Sequence, residues 1–212
     1  MKFLLLGSLL FSSLTFAQTP ATEKLFKAIT QNNLSLAQEA IREGADLNSY
    51  NRDKAPTTTV LVKAVKFNRL EIVKLLLENN ADVNQRKPIS LYTGLMVAAK
   101  RNLAPMTKLL MSYGADVNQY SVMMRTPLYI AAFYNSYDVA KVLLQSDEIK
   151  TNFSSLSGLC PLAVAARQDY KPLVTLLKNQ TGAKAPTEKC LRKATRLAHE
   201  AGLTEVVNIL EN

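Results

Sequence analysis

GADLN, residues Gly44–Asn48, returns as NADVN at Asn80–Asn84 and as GADVN at Gly114–Asn118. The closing asparagines Asn48, Asn84 and Asn118 stand 36 and 34 residues apart, and Asn152, in EIKTN, follows 34 later. Recurrence at that interval marks a chain built from stacked units, each too small to bury its own apolar face. A second marker keeps the same period. Ala28, Ala64, Ala98, Ala131, Ala165 and Ala198 recur in matching contexts at intervals of 36, 34, 33, 34 and 33. About seven residues beyond each alanine a second helical pattern begins: SLAQEAI, EIVKLLL, PMTKLLM, DVAKVLL, KPLVTLL and EVVNIL. The pattern divides the chain into six units, at about 22–48, 49–84, 85–118, 119–152, 153–186 and 187–212.

The fourth unit raises a question of its own. In MRTPLYIAAFYN, Met124–Asn135, Thr126 can cap a helix, and Pro127 at its first position loses a donor that had no partner anyway. Leu128, Ala131 and Ala132 supply one tight apolar face. Phe133 and Tyr134 follow at once, and a short helix cannot bury every side. They face either a second packing surface or something outside the chain.

With TPLYIAA at Thr126–Ala132, CPLAVAA at Cys160–Ala166, LMVAA at Leu95–Ala99 and the three ADLN/ADVN segments, the chain resembles the ankyrin-repeat family from about Glu23 to Leu210. The resemblance implies an all-α solenoid of about six stacked helix–turn–helix repeats, with hairpin-like loops and a concave binding face. Small residues then stand where helices approach closely. The glycine or asparagine at Gly44, Asn80, Gly114 and Gly182 tolerates the left-handed conformation that ends a helix. The family's usual histidine is missing. Its places hold Phe26, Val62, Met96, Tyr129, Ala163 and Arg196, so packing must replace its hydrogen bonds. The second unit carries two extra residues in SYNRDKAPTT. The first and last units read as caps with polar faces: Lys24, Lys27, Gln31, Gln38 and Glu39 at one end, Lys189, Arg192, Arg196 and Glu200 at the other.

The N-terminus reads as a separate element. MKFLLLGSLLFSSLTFAQ places Lys2 before an apolar run to about Leu14, then Thr15-Phe16-Ala17 with a small final residue. This predicts a secretory signal, residues 1–17, cleaved after Ala17, and a single repeat domain over 18–212. The alternative is an uncleaved anchor. The run is short and broken by serine for a bilayer span.

Composition narrows the function. The 212 residues are 48% apolar, which predicts a folded chain. With 26 basic against 17 acidic residues the net charge is +9, favouring an acidic partner. Export removes the chain from nucleic acid. His199, the one histidine, falls on the last unit and reads as a half-exposed capping residue. With Cys160 and Cys190 it matches no metal-ligand spacing. No phosphate-binding glycine loop is present, and Ser154, Ser155 and Ser157 lack a histidine partner. No catalytic, metal or cofactor residue is predicted, and an enzyme is disfavoured. Asp46, Asp82 and Asp116 suit turn formation.

The resemblance also implies where a partner binds: on the two residues after each alanine pair and the loop residues before each turn. In the second repeat these are Lys66 and Phe67. In the third they are Lys100 and Arg101, with Ile89, Ser90 and Tyr92 before them. In the fourth they are Phe133 and Tyr134, with Val122, Met123 and Arg125. In the fifth they are Arg167 and Gln168, with Leu156 and Leu159. Aromatic residues, methionine and arginine are enriched at interface centres. The alternative for Phe133 and Tyr134 is packing on neighbouring loops. The expected occupant is one protein with a hydrophobic feature and an acidic rim, bound by a chain that is monomeric when free. The expected setting is the bacterial periplasm. The expected role is immunity to a toxin, such as a phospholipase delivered by a type VI secretion system. The alternatives are support of an oxidative-defence enzyme, or a secreted effector acting on host proteins.

Export makes Cys160 and Cys190 a question. Adjacent repeats stack roughly 8–10 Å apart, while a disulfide needs α-carbons within about 7 Å. Cys190 reads as lying in the loop before the last inner helix, and unpaired or reducible thiols are favoured over a bridge.

Overall fold

The computed structural model describes residues 19–51 and 57–212. The secretory-signal reading of residues 1–17 and the middle of the SYNRDKAPTT loop lie outside the described residues. Six helix pairs follow one another. They are α1 (Pro20–Gln31) with α2 (Leu34–Arg42), α3 (Val60–Lys66) with α4 (Leu70–Glu78), and α5 (Gly94–Lys100) with α6 (Ala104–Ser112). Then come α7 (Pro127–Phe133) with α8 (Tyr137–Leu143), α9 (Pro161–Arg167) with α10 (Lys171–Lys178), and α11 (Glu188–Glu200) with α12 (Thr204–Glu211). The short strands β1 (Tyr50–Asn51) and β2 (Thr58–Thr59) pair antiparallel ahead of α3. The protein is an all-α repeat solenoid.

The odd-numbered inner helices stack in one row from α1 to α11, and the even-numbered outer helices pack behind them. The six marker alanines are all fully buried, because inner helices meet there. Leu61, Leu95, Leu128 and Leu162 recur one turn earlier, also buried. The places of the missing histidine hold packed side chains at Phe26, Val62, Met96, Tyr129 and Ala163, whereas Arg196 sits exposed on the terminal face and pairs with Glu200 at 3.5 Å.

Every inner helix but α9 starts on threonine. The buried hydroxyls of Thr59, Thr93 and Thr126 accept from the backbone N–H of Val62, Met96 and Tyr129 at 3.0–3.3 Å, satisfying an orphan donor of the first turn. They end on a second device. Asn32, Asn68, Asn102, Asn135 and Asp169 all take the left-handed conformation, at φ between 51° and 58°, and Gly202 takes the sixth such position. Asparagine and aspartate tolerate this region better than other L-residues, so the chain can reverse into the outer helix. The outer-helix endings at Gly44, Asn80 and Gly114 also have positive φ, as their sequence suggests; Gly182 has it too, but it opens a 3-10 turn, Gly182–Lys184, four residues beyond the end of α10 and does not end that helix.

The asparagines of the ADxN segments tie repeat to repeat. The side-chain oxygens of Asn48, Asn84, Asn118 and Asn152 accept from the backbone N–H of Asp82, Asp116, Lys150 and Thr187, each at 2.8 Å. Their amide groups donate onward from Asn84, Asn118 and Asn152 to the carbonyls of Gly114, Glu148 and Ala185. Asp46, Asp82 and Asp116 each accept from the N–H two residues on, closing the turn as their sequence suggests.

The terminal repeats depart from the others. The inner helices of the four middle repeats have seven residues; α1 has 12 and α11 has 13. The extra turns of α11 overturn two sequence expectations. Its N-cap, Thr187, stands 11 residues before Ala198, whereas Thr126 stands 5 before Ala131. Cys190 therefore belongs to the helix, not to a loop, and this extension runs beside the start of α9. Cys160 and Cys190 come within a Cα–Cα distance of 6.1 Å and form a disulfide, not the unpaired thiols expected. Cys160 occupies the N-cap that is threonine in its neighbours and makes no side-chain cap bond, its sulfur being committed to the bridge.

Candidate functional site

Two lines of side chains run across the middle repeats on the inner-helix side. The first comprises the last helical residue and C-cap of each inner helix. Lys66, Phe67, Lys100, Arg101, Tyr134, Arg167 and Gln168 are exposed, and Phe133 is half-buried. Each pair lies between the buried alanine contact and the left-handed reversal, so its side chains leave the core, Phe133 excepted.

The second line is formed by the fingers, the loops leading to α5, α7 and α9. Each closes on itself through backbone bonds: Lys87 N–H to Tyr92 at 2.9 Å, Ser121 N–H to Arg125 at 3.1 Å, and Ser155 N–H to Leu159 at 3.1 Å. Leu91, Met124 and Gly158 turn the tips at positive φ. Neighbouring fingers are joined by Val122 N–H to the Ser90 carbonyl at 3.3 Å and Leu156 N–H to the Met123 carbonyl at 3.2 Å. Ile89, Val122, Met123 and Leu156 lie at the tips, with 80, 50, 47 and 61% of their surface exposed. This is a contiguous row of large apolar side chains, of the kind that marks an interaction surface. Tyr92 is half-buried against the core, and Leu159 is buried at the finger base, so the sequence expectation that Leu159 faces a partner is corrected. Leu159 follows Gly158 and brings the chain back to the helix start, where its side chain packs inward.

Phe133 and Tyr134 separate on inspection. Phe133 packs against the core beneath Arg125, whose guanidinium lies 5.4 Å from its ring and 5.6 Å from that of Tyr129. Tyr134 meets the edge of Phe133 at 5.1 Å and is 42% exposed, with the Lys100 ammonium 5.0 Å from its ring. Arg125 Nε is buried without a hydrogen-bond partner, a state with a free-energy cost.

The charge of this face has one sign. Segments 59–67, 85–101, 119–134 and 153–168 contain Lys63, Lys66, Arg86, Lys87, Lys100, Arg101, Arg125 and Arg167 and no aspartate or glutamate. The described acidic residues of the same repeats lie on outer helices, reversals and ADxN turns, among them Glu71, Glu78, Asp82, Asp116 and Asp138. Lys87, on the first described finger, was not picked out by sequence reading. Burial, then the charges of Lys66 and Lys100, hold its ammonium below the ordinary lysine range. The signal in the sequence was the basic pair Arg86-Lys87 just ahead of the apolar finger residues.

Among the described residues, no group of three or more His, Cys, Asp or Glu side chains is placed to hold a metal ion. No described helix is long and apolar enough to cross a membrane. His199 is exposed and sits 3.3 Å from a Glu211 carboxylate oxygen at the end of the stack. The family profile described as "Ankyrin repeats (3 copies)" matches residues 17–87 and 87–155, more than half of the chain. No curated protein matches it.

Proposed function

Because this chain belongs to the ankyrin-repeat family, whose repeats are generally protein–protein interaction modules and typically not enzymes, we propose that it binds one protein partner across the finger and inner-helix strip. One observation carries this reading: a strip with eight basic residues and, among the described residues, no carboxylate bears a row of exposed apolar tips. Folding requires neither feature. The stack is held by alanines and threonine caps buried beneath the strip and by asparagine ties in the turns outside it. The partner that fits has an apolar feature to cover Ile89, Val122, Met123, Leu156 and Tyr134, with acidic groups around it.

The chain acts after export, in the bacterial periplasm. Two features support this: the signal-like N-terminal sequence, and the Cys160–Cys190 disulfide, a bond that persists in oxidising compartments. A binder without chemistry of its own acts by occupying its partner. We therefore favour neutralisation of a toxin active in that compartment, such as a phospholipase, over support of a resident enzyme.

The test is copurification of the full chain from periplasm with chemical crosslinking, followed by mass spectrometry of the retained protein. A partner captured by the parent chain and lost with Tyr134→Ala plus Val122→Ser supports the strip. Retention of the same partner by that variant overturns it. Recovery of the chain only in the cytoplasm overturns the export reading.

A further inference from the structure

We infer that Lys66, Lys87 and Lys100 together form a site for the carboxylates of an acidic segment of the partner protein. The inference rests on the strip being the partner face and names the chemistry it recognises. Lys66 and Lys100 are the final residues of α3 and α5, at equivalent positions 34 residues apart. Lys87 stands on the finger between them, and its N–H is bonded to the Tyr92 carbonyl at 2.9 Å, so the hairpin fixes its backbone. None of the three makes an ion pair among the described residues, although Lys24, Lys74, Lys171 and Lys184 all do. Like charges brought within reach of one another, one of them half-buried, oppose each other in the free protein. Burial first, and then the charges of Lys66 and Lys100, hold the Lys87 ammonium below the ordinary lysine range. An anion seated among them relieves the opposition.

The surroundings select the anion. Phe67 follows Lys66 in sequence, Ile89 stands two residues from Lys87, and the Tyr134 ring lies beneath the Lys100 ammonium. These apolar groups offer nothing to inorganic phosphate or a polyphosphate backbone, but they fit the side chains that flank carboxylates in a folded protein. Lysine is also a compact point charge that accepts a carboxylate from many directions.

The experiment uses the full chain and fluorescein-labelled poly-L-glutamate, with inorganic phosphate and phosphatidylglycerol vesicles as separate arms. Expected is saturable binding of polyglutamate that weakens at least about tenfold in Lys87→Met and further in the triple variant with Lys66→Ala and Lys100→Ala. The double variant Lys108→Ala/Lys141→Ala, on the outer helices, should bind as the parent does. Lys87→Met should melt at the parent temperature or above it, because the opposed charge is gone; a structural role predicts a lower one. Lys87→Gln repeats the test should the methionine variant fail to fold. Equal weakening in the Lys108/Lys141 variant overturns the site in favour of diffuse charge. Equal competition by phosphate, or equal binding to the vesicles, overturns the carboxylate assignment. If partner capture depends on Tyr134 and Val122 but not on the three lysines, this inference fails while the strip stands.

Discussion

Each loop between helix pairs has two ends that obey different rules. At the ADxN end, the same residue makes the same bond in successive repeats: Asn48, Asn84, Asn118 and Asn152 each accept, at 2.8 Å, a backbone N–H that stands 32 to 35 residues further on. At the fingertip end, the backbone repeats while the side chains change. Leu91, Met124 and Gly158 turn the same corner, yet the tips show Ile89, then Val122 and Met123, then Leu156. Constancy marks the end that holds the stack together. Variation on a fixed frame marks the end available for recognition, since a binding surface is specified by differences between repeats and a solenoid by their sameness.

The widest expected gap between the two ends is in stability. Leu143→Ala, in the fully buried outer-helix row, should cost about 2–5 kcal/mol in urea unfolding. Ile89→Ser at a fingertip should stay within about 0.5 kcal/mol. If the two variants lose similar stability, the fingertips are structural and the contrast fails.

The next effect tests whether the last repeat relies on its bridge. Replacing Cys160 and Cys190 together by serine removes a cross-link spanning 30 residues, worth about 3–4 kcal/mol in the chain-entropy model. Hydrogen exchange should show the loss first in α11 and α12. Uniform loss over all six repeats would mean the bridge does not act locally. Thiol titration of the unreduced, unfolded chain should find no free thiols.

Asn118→Ala removes both ties of one turn, to the Lys150 N–H and the Glu148 carbonyl, and should cost about 1–3 kcal/mol without touching partner binding. Tyr134→Ala should do the reverse: stability nearly unchanged, and a partner affinity weakened by about 2 kcal/mol if it is an anchor. Phe133→Ala should lower both, since that ring packs on the core beneath Arg125. A double variant of Phe133 and Tyr134 therefore mixes two effects, and the single variants are the sharper test.

The smallest effect is one of pH. Lys171 on α10 pairs with Glu205 on α12, and this hydrogen bond holds the Glu205 carboxyl below the ordinary carboxylate range. A carboxyl depressed by folding adds stability above its unfolded value, and that contribution disappears as acid protonates it. Glu205 is largely exposed and Lys171 partly so, and the effect should be slight and weakened by salt. Glu205→Gln should flatten the acid limb of the last repeat's protection and leave the middle repeats unchanged.

The period in ADxN and in the six alanines determined the number of repeats, the helix pairs and the buried faces, because every unit must meet its neighbour in the same way. It also indicated the turn aspartates and the left-handed endings, which are local preferences of single residues. That Ile89, Val122 and Leu156 belong to one side of the chain was implied by the ankyrin resemblance, not by the period. Other matters depended on distances between repeats. Lys87 became part of a charge cluster only once α3 and α5 lay side by side. Phe133 and Tyr134, adjacent and alike in sequence, were divided into a packed and an exposed ring by where Arg125 lies. The disulfide was decided by a tertiary extension of α11, whose extra turns brought Cys190 to Cys160 across a gap that the repeat spacing alone would have left too wide. Periodicity describes what every repeat shares, and these features arise where neighbouring repeats differ.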